Sequence, residues 1–216
     1  MNKLKLIIAA VLIILGVVGR FVLVSYVGIP NLEIITVLAL ISGIYLGGLY
    51  TVIVPLSIIF LSDLVIGNNY IFIFTWTAFA IIGLFGVFYG NKISNKKTCH
   101  FRTETKSSIN FGGNTVSTAN RSSKIFPFKN SIILALLSSI FFYLYTNFGW
   151  WLMSGMYEYR LSGLIRCYYM AIPFFRNNLV GNLIFVPAGI YIASKVFYSV
   201  KICNIAGVLL QKEKKL

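Results

Sequence analysis

Residues 54–69 read VPLSIIFLSDLVIGNN, an apolar run cut by Ser62-Asp63, resumed for three residues and stopped by a Gly-Asn-Asn turn. An ionised carboxylate at the centre of a membrane helix costs about 2.5–3.5 kcal/mol, so the setting of this run decides how the chain is read. The rest of the sequence supplies that setting. Of the 216 residues 58% are hydrophobic and 11% charged, and the mean hydropathy is +0.84. A soluble domain carries about 25% charged residues. Apolar runs that approach the roughly 20 residues needed to cross a bilayer recur at about 6–27, 32–49, 52–66, 70–89, 131–152 and 178–200. The expectation is an all-α polytopic bundle of about six transmembrane helices. Too little polar sequence remains for a separate soluble domain, so residues 1–216 read as one integral membrane domain.

The net charge of +14 invites a nucleic-acid partner, but the positions of the charges point to the lipid bilayer. Of the 19 basic residues, two (Lys3, Lys5) precede the first run, eight fill the polar stretch 92–130, and four (Lys201, Lys212, Lys214, Lys215) end the chain. Basic flanks are retained in the cytoplasm during insertion. The expected topology is therefore a bacterial plasma (inner) membrane protein with both termini and the 92–130 loop inside. That loop is rich in Ser, Asn, Thr and Lys with no helical or strand period, and it reads as flexible. The segment 153–177 reads as an outer loop plus a short helix, Leu161–Ile172, stopped by Pro173.

With this topology Asp63 stands at the outer end of the third span and Arg20 one or two turns inside the first. Three readings are open. Arg20 reaches to the headgroups while Asp63 ends a helix; or the two form an ion pair with each other or with Glu33; or they face a ligand. The same outer end gathers Asn31, Asn147, Trp150, Trp151, Arg166, Asn177, Asn178 and Asn182. Tryptophans there suit the aromatic belt of a membrane protein. Asparagines suit a pocket, because a buried amide needs partners and orients a polar molecule. Asp63 and Asn147 would orient the polar part of a ligand, with Asn31 and Asn178 nearby. Trp150 and Trp151 would cover its apolar part, and Arg166 would meet a negative group.

Ala39, Gly43 and Gly47, spaced four apart, share a face of the second span, and Gly86 and Gly90 do so on the fourth. Small residues let helices approach closely, either within the bundle or against a partner helix. Catalysis finds no support: there is no nucleophile–histidine pairing, no metal motif and no phosphate-binding glycine loop. Cys99, Cys167 and Cys203 are scattered and imply neither a disulfide framework nor a zinc site. No cofactor, resident metal or enzyme activity is expected.

The stretches PN (30–31), TVLALISG (36–43), VPL (54–56) and LSD (61–63), with TNFGWW (146–151), CY (167–168) and AIPFFRN (171–177), resemble an uncharacterised family of small six-span bacterial membrane proteins. That family is in turn similar to the substrate-binding S components of energy-coupling factor transporters. The resemblance covers about 30–90 and 131–190. It implies a six-helix subunit that captures a vitamin or metal ion from the outer side. A transmembrane coupling subunit and cytoplasmic ATPases, both on other chains, would be its partners. Two features depart from the pattern: Ile13 and Ile14 stand four residues after Ala9 and Ala10 where a docking alanine is common, and Asn182 stands where an aspartate is common. A membrane scaffold or assembly subunit is the alternative, using the glycine faces for partner helices and the basic loop for anionic lipid.

Overall fold

A computed structural model of the protein describes the backbone of residues 3–67, 71–104 and 128–213, and side chains within these except at 92–104, 198 and 200–213. Every regular element among the described residues is helical: α1 (Lys3–Val22), α2 (Ile35–Ile41), α3 (Tyr50–Ile66), α4 (Phe72–Glu104), α5 (Phe128–Met153) and α6 (Leu161–Glu213). The windows Lys3–Val27, Phe72–Asn91, Phe128–Met153 and Leu161–Phe197 are long and apolar enough to cross a membrane. Leu, Ile, Val and Phe side chains stand exposed along α1, α4, α5 and α6, the surface a bilayer would cover. These features suit a membrane protein.

Two helices fall short of that length. α3, where a span was expected at 52–66, has 17 residues and rises about 26 Å. α2 is shorter still. With the π-helical turn Ser42–Leu46 that continues it, it is about 18 Å long at roughly 1.5 Å per residue, against about 30 Å for a hydrocarbon core. All seven residues of Ile35–Ile41 are buried. The run expected to span at 32–49 is thus a short core helix, wrapped by α3, α4 and α6. An all-round apolar helix is buried whether lipid or protein covers it, so hydropathy alone does not separate the two cases. Leu38, Ala39, Leu40 and Ile41 pack with Val54, Ile58, Phe79, Leu134, Val186 and Ile190 in one core.

Backbone contact holds α2 to α4. A Cβ built on Gly43 would lie 2.1 Å from the Gly83 carbonyl oxygen, and one on Gly86 would lie 2.6 Å from the Leu40 carbonyl. Ala39 and Gly43 are therefore spent inside the chain and offer no face to a partner helix. Gly47 does a different job. It caps the π turn at φ 63° and Gly48 follows at φ 57°, so two left-handed residues in succession turn the chain into α3.

Two expectations about boundaries are corrected. The polar stretch from 92 continues α4 as far as Glu104, because extending an existing helix costs far less than starting one; residues 105–127 lie outside those described. Pro173 does not stop a short helix, since α6 runs through it and through Pro187. Proline is tolerated in such helices when neighbours supply the missing partners. Beside it the Tyr143 hydroxyl donates to the Tyr168 carbonyl at 2.6 Å.

Candidate functional site

The carboxylate of Asp63 is paired. Arg20 Nη1 lies 2.5 Å from Asp63 Oδ1 and also donates to Ser62 Oγ. Trp76 Nε1 donates to the other carboxylate oxygen at 3.0 Å, with its ring held edge-on by Phe60 and Phe72. The Asp63 side chain is only 7% exposed and that of Arg20 21%. Burial of an ion pair is tolerable only when further hydrogen bonds complete it, and Ser62 and Trp76 do so here. Of the three sequence readings, the structure presents the Arg20–Asp63 ion pair.

That pair forms one wall of a cavity of about 450 Å³, within the range of small-molecule sites. Its polar lining is Arg20, Asp63, Asn31, Thr75, Thr146, Asn147, Trp150 and Tyr157, and its apolar lining includes Ile71, Phe142, Met170 and Phe174. α5 brings Thr146, Asn147 and Trp150 round one side at helical spacing. Asn147 Nδ2 donates to the Tyr143 carbonyl at 2.7 Å, leaving its side-chain oxygen without a partner among the described residues. Thr146 gives its hydroxyl hydrogen to the Phe142 carbonyl at 2.7 Å and keeps an acceptor lone pair. Asn31 occupies the left-handed region at φ 60°, which asparagine tolerates better than most residues. Its side chain makes no hydrogen bond to the described residues. The wall thus presents unspent amide groups beside aromatic faces. Cys167 also lines it, buried, with its thiol 3.5 Å from the Asn147 carbonyl.

A second polar array adjoins the cavity. Glu33 Oε1 accepts from Thr36 Oγ1 at 2.8 Å and from Asn178 Nδ2 at 3.1 Å. Asn182 Nδ2 donates to Asn178 Oδ1 at 3.1 Å and to Ser139 Oγ at 2.9 Å, while Asn182 Oδ1 is buried with no partner among the described residues. Glu33 stands in the connecting segment, two residues before α2 begins. Loss of water there pushes its carboxyl from 4.5 up to about 7, against the opposing hydrogen bonds of Thr36 and Asn178 and the charge of Arg20. Asn178 also lines a side pocket of about 20 Å³ that shares Asn31, Phe142, Thr146, Asn147 and Phe174 with the larger cavity.

Residues 1–202, which include every residue of the cavity and of this array, match the family described as Family of unknown function (DUF6580). The chain belongs to DUF6580. Neither the curated proteins nor the solved structures yield a match.

For this DUF6580 chain the structure brings Asn31, Asp63, Asn147 and Trp150 to one cavity and places Asn178 at its edge. It separates two others. Trp151 donates its indole N–H to the Glu158 carbonyl at 3.0 Å and packs edge-on against Tyr159, away from the cavity. Arg166 is exposed and does not line it. Trp151 follows Trp150 by about 100° around α5, which turns it to the 153–160 segment where Glu158 and Tyr159 hold it. Thr75 joined the lining without a sequence signal, and Thr146 and Phe174 lie within the stretches TNFGWW and AIPFFRN but carry no expected role in the site. For the Asn178–Asn182 pair a signal existed, in the four-residue spacing that puts both amides on one helix face.

Proposed function

We propose that the chain is the membrane-embedded substrate-binding subunit of an ATP-driven uptake transporter of the energy-coupling factor kind. The single observation behind this reading is the cavity of about 450 Å³, in which unspent amides stand opposite aromatic side chains at the end of a helical bundle. Such a lining suits a small organic molecule with a planar apolar part and a polar edge. Asn31 and Asn147 would hydrogen-bond the polar edge. Trp150, Tyr157, Phe142 and Phe174 would cover the planar part. The Arg20–Asp63 pair would serve as a fixed dipole, since both partners are already engaged. The molecule would enter from the outer side. A transmembrane coupling subunit and two cytoplasmic ATPases on other chains would supply the work. The alternative, a scaffold for other membrane subunits, draws on the glycine faces and on the basic loop; of these, Gly43, Gly83 and Gly86 are spent on contacts inside this chain.

The test is ligand-induced thermal shift on the purified full chain over a panel of vitamins and metal ions. A true ligand raises the melting temperature progressively, with the logarithm of its concentration once that exceeds the dissociation constant. Asn147→Ala is expected to weaken that ligand about three- to tenfold, the effect of losing one hydrogen bond. No shift with any member, or full affinity retained in both Asn147→Ala and Trp150→Ala, would refute the site.

A further inference from the structure

Two ionisable groups, Arg20 and Asp63, line the cavity, a third, Glu33, stands behind Asn178 of the side pocket, and only the first two are matched. Arg20 is held by Asp63 through a direct ion pair. Glu33 has no such partner among the described residues. Its hydrogen-bond donors, Thr36 and Asn178, are both neutral and both converge on Oε1. Its segment nevertheless lies beside the pair, because Gly19 packs on Ile34, so that the neighbours of Arg20 and Glu33 touch. Arg20 is near enough for its positive charge to favour the ionised form of Glu33.

Among the described residues, the surrounding elements bring no further counter-charge. α2 (ITVLALI) carries none. On α5 the Tyr143 hydroxyl is given to the Tyr168 carbonyl. On α6, Arg166 and Arg176 make no hydrogen bond to Glu33, and Asn178 and Asn182 are neutral. A half-buried carboxylate met only by neutral donors keeps its charge at a cost, and it sheds that cost by taking a proton. Oxygen Oε2 has no donor among the described residues, so a proton placed there leaves the hydrogen bonds to Oε1 intact.

We propose that Glu33 is a proton-binding site that sets the net charge of the cavity: ionised, the Arg20–Asp63–Glu33 set carries one net negative charge and favours cationic molecules; protonated, it is neutral. Asn178, which donates to Glu33 and lines the side pocket, is the physical link between the two. The raised titration of Glu33, to about 7, puts the change within the range of ordinary external pH. This inference rests on the cavity being open to small molecules, and not on the transport role.

The experiment uses charged thiol reagents in place of an unknown ligand. In the full chain with its native cysteines replaced by serine, Met170→Cys places an exposed thiol in the cavity lining. The rates of labelling by a cationic and by an anionic methanethiosulfonate are compared across pH, because their ratio cancels the ionisation of the thiol itself. The cationic-to-anionic ratio is expected to fall about three- to tenfold as pH drops through about 7, the effect of one charge at short range in a medium of intermediate dielectric. It should be independent of pH in Glu33→Gln. The infrared band of a protonated carboxyl group is followed in parallel. Asn178→Ala, which removes a donor that favours the charged form, should move the midpoint of both signals upward. A ratio that does not change with pH in the parent protein would overturn the proposal. So would an infrared titration unaltered by either Glu33→Gln or Asn178→Ala. Both readouts are independent of whether any vitamin is bound, so their failure is distinct from failure of the transport reading.

Discussion

At the scale of single residues, the molecule treats the carboxylates of Asp63 and Glu33 in opposite ways. Asp63 receives an arginine, an indole N–H and a neighbouring serine that shares the arginine. Glu33 receives neutral donors only. For Asp63 the expected consequence is strong coupling. Arg20→Met or Asp63→Asn alone should destabilise the protein by about 3–5 kcal/mol, because each leaves a charge or dipole unmatched in a buried place. The double variant should lose clearly less than the sum, which a double-mutant cycle of thermal or denaturant unfolding in detergent will measure. For Glu33 the sign is reversed from that of a paired acid. Its carboxyl titrates near 7 when folded against an ordinary 4.5, so the folded state holds the proton more tightly. The contribution of Glu33 to stability is therefore greatest below about 4.5, falls as pH rises through the interval, and is lost above about 7. Glu33→Gln should flatten this slope in a melting-temperature series against pH.

At the scale of elements, the decisive feature is a helix too short to cross a membrane that sits within longer helices. α2 has no polar face to spare, and its closest neighbour, α4, meets it with glycine against glycine. Gly43→Ala or Gly86→Ala would force two backbones apart, and each is expected to cost about 1–3 kcal/mol, the range for overpacking a tight contact. Gly90→Ala is the control on the same face of α4. Its Cβ would meet the Ile44 backbone only at 3.3 Å, so a smaller loss is expected in the same unfolding measurement. The glycine spacing was legible in the sequence as a close-packing face. That it faces α4 of the same chain was not, because the spacing of small residues on one helix carries no record of which helix fills it.

At the scale of the whole molecule, the cavity draws on five helices or their connections, from Arg20 on α1 to Phe174 on α6. The buried Cys167 in its wall provides an assay of occupancy. With Cys99 and Cys203 replaced by serine, a molecule bound in the cavity should slow modification of Cys167 by a neutral maleimide at least severalfold, in line with fractional occupancy. The rate is read by mass spectrometry with and without the molecule. Unaltered labelling under saturating thermal-shift conditions would place the bound molecule elsewhere.

What the sequence determined by itself is the helical class, the runs suited to a bilayer, the grouping of basic residues, and the presence of Asn31, Asp63, Asn147 and Trp150 as polar or aromatic interruptions of apolar sequence. Those features are local: hydropathy, periodicity and turn chemistry act over a few neighbouring residues. Tertiary structure alone decided that residues 35–46 form a core insert, that Trp151 and Arg166 leave the cavity, and that Asp63 meets Arg20 across 43 residues while Glu33 meets Asn178 across 145. The physical reason is that an apolar helix reads alike against lipid and against protein. A polar side chain within it gains its role only from the group that packing brings opposite.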